Sequence, residues 1–198
     1  MHYMYRNTKE IAGFAARFIG NSRETFPGEE HGQQELFDYY RPLSGPAPEL
    51  KPAGSFDELL AYLADQLKRV MDKYDIPRSQ IAVLYTRDTL PSNKEQRVPL
   101  LIKEQLESKG VLARWSTENR ETKKNYDIST NAVTISTIHS AKGLDYACVF
   151  LIGLEWLRPG GWSREQIDRL VYVAITRART HLFIPYTEET ELIKRLKG

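Results

Sequence analysis

The sequence has one cysteine, Cys148, among 198 residues, which excludes a disulfide framework and a cysteine-based zinc site. No apolar run approaches the roughly 18 residues that a membrane-spanning helix needs, and no basic-then-apolar leader opens the chain. The net charge is only +2, so any nucleic-acid site must be a local patch and not a global basic field. We therefore expect a soluble, cytoplasmic protein without a membrane partner.

A complete nucleotide-phosphate loop is also missing, because no G-x-x-x-x-G-K-[ST] pattern occurs anywhere in the chain. What the chain does contain is ordinary: 41% hydrophobic and 27% charged residues are the balance of a globular domain. Its length suits one domain with a sizeable core. No repeat, low-complexity tract or homo-oligomer signal is present.

Hydrophobic spacing and capping residues predict helices that alternate with strands. We expect helices from Asn7 or Thr8 to Gly20, Ser55 to about Tyr74, about Arg97 to Lys109, Ser163 to about Arg177 and Glu188 to Leu196, and strands at 80–85, 111–115, 132–137, 147–153 and 182–185. The proline-rich stretch 23–54 is predicted to be irregular, with one or two short strands around 35–40, and the polar stretch 116–130 to be a mobile connection. This alternation predicts an α/β domain with a mostly parallel sheet flanked by helices.

The segment 134–150 carries polar residues where a strand is predicted to end. His139, Lys142 and Gly143 follow that strand, and loops at the carboxyl ends of strands are where open α/β sheets bind ligands. Gly143 permits a positive φ or a close backbone approach, and Asp145 offers a carboxylate to sugar hydroxyls. A solvated turn that ends on a glycine explains the same residues equally well.

Two further segments present cations. Arg177 is expected at a helix end, where it either complements the helix dipole or is presented to a phosphate group. Near the start of the chain, Tyr5 and Arg6 form an aromatic–arginine pair that is able to stack on a base and reach a phosphate, unless they belong to a disordered terminus. Taken alone, each segment favours its structural explanation.

Together, the three segments resemble motifs IV, V and VI of superfamily 1 helicases of the UvrD/Rep kind. The matching stretches are MYRNTKEIAGFA, TIHSAKGLDYACVFLIGL and RLVYVAITRART, and IAVLYTRD followed by a helix and KGVLARW resembles the region between motifs IV and V. The resemblance implies a RecA-like (P-loop NTPase-type) fold without its own P-loop. Because the chain opens at the motif IV-like segment, we expect residues 1–198 to be the second RecA-like domain of a longer parent.

The resemblance also implies roles at an ATP site. Tyr5 would stack on the adenine, and Arg6 and Arg177 would act on the γ-phosphate as catalytic arginines. Asp145 stands where the family usually has a glutamate that contacts the ribose, and Gly143 lies in the turn before it. No residue here resembles the family's magnesium-binding motif, so ATP with Mg²⁺ would be bound mainly by the N-terminal RecA-like domain of the same parent.

Thr137 and His139 would contact single-stranded DNA and link that contact to the nucleotide site. The whole would be an ATP-dependent DNA helicase or translocase, and this chain alone would not hydrolyse ATP. The alternative is a non-catalytic nucleic-acid-binding module with a degenerate helicase fold. Arg6 and Arg177 argue against it, because no core role is expected for either. A self-sufficient nucleotide-binding protein is disfavoured by the missing P-loop.

The chain departs from the family pattern in three places. A short connection, 116–131, stands where UvrD and Rep carry a large helical insertion, so duplex contacts by that insertion are not expected. The family often has two acidic residues before the motif VI arginine pair, whereas this sequence has Gln166, Ile167, Asp168 and Arg169, so only part of that network is expected to form. Asp145 is one methylene shorter than the family's glutamate, which shortens its reach to a ribose.

Overall fold

The computed structural model describes residues 7–20, 43–116, 131–158, 160 and 162–198. Within them are six strands: β1 (Glu49–Pro52), β2 (Ile81–Tyr85), β3 (Ala113–Trp115), β4 (Val133–Thr137), β5 (Tyr146–Ile152) and β6 (Ala178–Tyr186). The helices are α1 (Lys9–Gly20), α2 (Phe56–Tyr74), α3 (Val98–Ser108), α4 (Arg164–Ile175) and α5 (Glu191–Lys197), with 3-10 turns at Arg78–Gln80 and Leu154–Trp156.

The strands form one sheet in the order β1-β6-β5-β2-β4-β3. Every pairing between neighbouring strands is parallel, which confirms the predicted α/β class. β2 is buried along its whole length because helices cover both faces of the sheet. Helices α1, α4 and α5 pack on one face, and α2 and α3 pack on the other.

Local sequence explains where the helices begin. The hydroxyls of Ser55 and Ser163 accept hydrogen bonds from backbone amides in the first turns of α2 and α4. Gln166 completes a capping box with Ser163 by accepting from the backbone amide of that residue at 2.8 Å. These side chains satisfy amide groups that the helix itself leaves without partners. They account for the accurate prediction of both starts.

Two predictions about strands were wrong: the absence of a strand near the end of the stretch 23–54 and the start of β6. The predicted irregular stretch 23–54 contains β1, a mostly exposed edge strand that pairs with β6 and ends at Pro52. Because β1 is mostly exposed, its sequence lacks the alternation of apolar and polar residues that would have predicted a strand. β6 begins at Ala178 and not near 182. Helix α4 ends at Ile175, two residues before Arg177. The one or two strands predicted around 35–40 and the connection 117–130 lie outside the described residues.

The connection between β4 and β5 has an unusual path. β4 and β5 both pair in parallel with β2, one on each side. The chain must therefore run back from the carboxyl edge of the sheet, where strands end, to the amino edge, where they begin. Residues 138–145 make this return on the α1/α4 face, with Ile138 and Ala141 buried in the core. This one segment joins the two edges that carry the predicted site residues.

Candidate functional site

The amino edge of the sheet brings Arg177 and Asp145 together. The Arg177 Nη1 atom lies 3.3 Å from Oδ1 of Asp145, and the two side chains are 17% and 15% exposed. The register explains the meeting: Tyr146 pairs with Ala178, so the residues just before β5 and β6 are neighbours. Two residues predicted for the same ATP site are thus in contact, 32 positions apart in sequence.

Arg177 is also bound to the backbone. Its Nη1 donates to the carbonyl oxygen of Leu144 at 3.1 Å, and its Nε donates to that of Val173 at 3.1 Å. In addition, the Arg177 carbonyl accepts from the amide of Tyr146 at 2.9 Å. These contacts give Arg177 a structural role at the helix end, which the sequence left open beside the binding of a phosphate. Its side chain closes the end of α4 onto the start of β5, where a cation also complements the negative end of the helix dipole.

Gly143 has a conformational explanation. Its φ is +88°, and a Cβ built on it would meet no described atom within 4 Å. Glycine therefore serves here to allow a left-handed backbone at the end of the turn that follows β4. This matches the alternative that the sequence left open for Gly143, a glycine that ends a turn.

The segment that follows Tyr5 and Arg6 is fixed at the same edge. The Asn7 side-chain amide donates to the carbonyl oxygens of Thr176, at 3.1 Å, and of Ala178. The amide of Thr8 donates to the carbonyl oxygen of Arg179 at 2.8 Å. Asn7 was predicted only as a helix cap, and its contact with the residues on either side of Arg177 was missed. Tyr5 and Arg6 lie outside the described residues, so their roles stay predictions.

The carboxyl edge holds Thr137 and His139. The Thr137 hydroxyl donates to Oγ of Ser140 at 3.0 Å and accepts from the Ser140 amide at 3.1 Å, so Thr137 orders the turn after β4. His139 is exposed and lies edge-on to Trp162, with ring centroids 5.4 Å apart and planes at 75°. The structure therefore places Thr137 and His139, which were predicted for DNA, at the edge of the sheet opposite to Asp145 and Arg177, which were predicted for ATP.

A cavity of about 300 Å³ opens beside His139, between the turn 138–142 and helix α4. Among the residues lining it, the sequence singles out Lys142 without indicating a role, and core packing was the default expectation for Trp162, with a partner surface as the alternative. A tryptophan in a Gly- and Pro-rich loop was the available signal, because such a residue is seldom left exposed.

Neither a membrane helix nor a metal cluster occurs in the described part of the chain. No helix there is long and apolar enough to cross a membrane. No group of three or more His, Cys, Asp or Glu side chains there is placed to hold a metal ion.

Residues 94–189 match the family described as UvrD-like helicase C-terminal domain. The chain is 39% identical over 74 residues to DNA helicase II of Escherichia coli, covering 33% of this chain and 10% of that protein. It is 37% identical over 82 residues to the RecBCD enzyme subunit RecB of Chlamydia pneumoniae, covering 41% of this chain and 8% of that protein. The chain thus spans a tenth or less of these relatives.

A solved structure shows the same fold. It is the C-terminal domain of a possible DNA helicase from Lactobacillus plantarum WCFS1, similar to this chain with a TM-score of 0.62 at 19% identity. The match covers 98% of this chain and 94% of that one, so the two chains share the fold over nearly their whole length.

Proposed function

We propose that this chain is the second motor domain of an ATP-dependent DNA helicase or translocase, because residues 94–189 match the UvrD-like helicase C-terminal domain family. The observation that carries the proposal is the pairing of Arg177 with Asp145 at the amino edge of the sheet. The anchoring of Asn7 beside them supports it, since Asn7 directly follows the predicted Tyr5 and Arg6 in sequence.

The residues at this edge suit a nucleoside triphosphate. ATP with Mg²⁺, bound mainly by the N-terminal RecA-like domain, supplies the phosphoryl group that is transferred to water. Arg177 would contact its γ-phosphate together with Arg6, Asp145 would accept from its ribose, and Tyr5 would stack on its adenine. A guanidinium keeps its charge at any working pH and matches phosphate oxygens in shape, which suits Arg177 to stabilise the charge of the transferring group.

The ion pair of Arg177 with Asp145 sets a condition on the proposed contact of Arg177 with the γ-phosphate. To reach a phosphate on another domain, Arg177 must exchange its carboxylate partner for phosphate oxygens. Its side chain is 17% exposed, so it is already at the surface of the edge and needs no unfolding to do so. The exchange becomes favourable when the two domains close, which would make hydrolysis depend on cleft closure.

The segment 138–145 offers a physical link between ATP and DNA. It begins at the turn of Thr137 and His139 and ends at Asp145, the partner of Arg177. A shift of this segment caused by DNA at the carboxyl edge would move Asp145 at the amino edge. Contacts to a single strand would be phosphate hydrogen bonds and stacking, so little sequence preference is expected.

The alternative function is a non-catalytic nucleic-acid-binding module with the same fold. The backbone contacts of Arg177 are compatible with it, because they give this arginine a reason to be present without catalysis. The two functions differ in one measurable property. A motor domain completes an ATPase site on its N-terminal partner, and a binding module does not.

The deciding experiment is ATPase activity of the purified chain, of the separately expressed N-terminal half of its parent, and of their mixture, each with and without single-stranded DNA. We expect turnover in the mixture and none from this chain alone. No gain in the mixture over the N-terminal half would favour the binding module. Turnover by this chain alone would contradict the composite site.

His139→Ala in the intact parent is expected to weaken the stimulation of ATP hydrolysis by single-stranded DNA several-fold, since it removes an exposed donor at the carboxyl edge. Turnover without DNA should be unchanged, because His139 lies at the edge away from Arg177. The measurement is ATPase rate against DNA concentration. Lys68→Ala, which removes an exposed cation of α2 on the other face of the sheet, is the matched control. Normal stimulation in His139→Ala would remove this residue from the DNA site.

A further inference from the structure

The three tryptophans of the chain have different environments. Trp115 is buried and donates from Nε1 to the Tyr85 hydroxyl at 2.9 Å. Trp156 is half-buried and packs against Phe56, with ring centroids 5.8 Å apart. Trp162 is 43% exposed, although it offers more apolar area than almost any other side chain. Its exposure is not explained by packing within this domain.

Trp162 lies beside a groove with a distinct chemical pattern. The cavity of about 300 Å³ is at the lower end of the range of about 300–1,000 Å³ that ligand pockets occupy. Its apolar residues Ile138, Leu170 and Val173 are buried or half-buried. The polar residues that line it are exposed: His139, Lys142, Gln166 and Arg169. An apolar interior with a polar margin suits a flat, mostly apolar ring that carries polar groups.

The charge at the groove favours an anion next to that ring. None of the described residues that line it is acidic, and Lys142 and Arg169 are cations. Arg169 is held by an ion pair with Glu165, one turn earlier on α4. Lys142 lies on the opposite wall, three residues after His139. A flat ring joined to a negative group is the chemistry of a nucleotide within a strand.

We propose that Trp162 is a stacking platform for an unpaired base of single-stranded DNA, with Lys142 binding an adjacent phosphate. The near-perpendicular contact with His139, 5.4 Å between centroids, joins this platform to the turn already proposed to contact the strand. Stacking on an aromatic ring is sequence-tolerant because every base has a π-face. The inference rests on the proposed function and extends it by naming a residue outside motif V on which a base stacks.

The test is a titration of the 198-residue chain with a short oligothymidylate, followed by fluorescence anisotropy of the labelled DNA at several salt concentrations. Trp162→Ala is expected to raise Kd by roughly 5- to 150-fold, the range that loss of one base–aromatic stack produces. Trp162→Phe should recover part of the affinity because it restores a π-face. Lys142→Gln should lower the slope of log K against log salt by about one, as expected for one lost phosphate contact.

Leu112→Ala is the matched control, because Leu112 is 50% exposed and precedes β3. It therefore lies at the amino edge of the sheet, opposite to the carboxyl edge that carries His139. This variant should bind as the unaltered chain does. Unchanged affinity in Trp162→Ala, with weaker binding in His139→Ala, would overturn the platform and leave the proposed function intact. Weaker binding in Trp162→Ala alone would support the platform and contradict the role of His139. No binding by the unaltered chain at any salt concentration would overturn both.

Discussion

Arg177→Ala in the intact parent is expected to lower ATP turnover by roughly 10³- to 10⁵-fold, the effect of removing an arginine that stabilises charge on a transferring phosphoryl group. Affinity for single-stranded DNA should stay nearly unchanged, because Thr137 and His139 lie at the other edge of the sheet. The measurements are the steady-state ATPase rate at saturating ATP and the equilibrium binding of a labelled oligonucleotide. Unchanged turnover would remove Arg177 from catalysis.

The structural contacts of Arg177 require a second variant. Alanine also removes the bonds to the carbonyl oxygens of Leu144 and Val173, so a folding defect must be separated from a catalytic one. Arg177→Lys keeps the charge but loses the planar fork that matches phosphate oxygens, and we expect it to stay largely inactive while its melting temperature is close to that of the parent. Arg164→Ala, an exposed arginine at the start of α4, should change neither property.

Most elements of the fold could be predicted because they depend on local signals. Ser55 and Ser163 start helices that their own side chains cap, and the continuous apolar run of β2 indicates a strand covered on both faces. β1 could not be found in this way. It is a short edge strand whose position is determined by pairing with β6, more than 130 residues later, and its exposed side chains leave no pattern.

The candidate site shows the same division between local and distant information. The stretches around His139 and Arg177 were identifiable as motifs, yet nothing local indicated that Arg177 contacts Asp145. That contact depends on the register of β5 against β6. The environment of Glu155, outside the candidate site, was also not indicated by the local sequence. Glu155 is fully buried, and its carboxylate accepts hydrogen bonds from the amide and hydroxyl of Thr187 at 2.9 and 3.0 Å. Burial raises the pKa of Glu155. A carboxylate next to Trp156 in sequence would ordinarily be placed in solvent.

Asp168 shows how a departure from the family pattern is used by this fold. It is 3% exposed, and its carboxylate binds both terminal nitrogens of Arg195 on α5, at 2.9 and 2.8 Å. The Arg195 guanidinium also lies 5.0 Å from the ring centroid of Phe18 on α1. One bidentate pair therefore connects the three helices on this face of the sheet. The position contributes to stability, and it does not point to the nucleotide.

We therefore expect Asp168→Ala to lower the free energy of unfolding by about 3 kcal/mol, the low end of the cost of breaking a buried ion pair, because Arg195 loses its partner but is itself 18% exposed. Urea denaturation of the 198-residue chain measures this. The double variant Asp168→Leu with Arg195→Met should recover most of the loss, since it removes both charges and keeps apolar volume.

The exposed pair of Arg158 and Glu188 provides the matched comparison. Its atoms are also 2.8 Å apart, but the side chains are 67% and 58% exposed, so water already solvates both charges and Glu188→Ala should leave stability almost unchanged. Equal losses at the two sites would mean that burial does not determine the strength of the Asp168–Arg195 pair. A large loss at Asp168 with little effect at Glu188 would show that burial determines the strength of the Asp168–Arg195 pair, which holds α5 to this face of the sheet together with its buried apolar side chains.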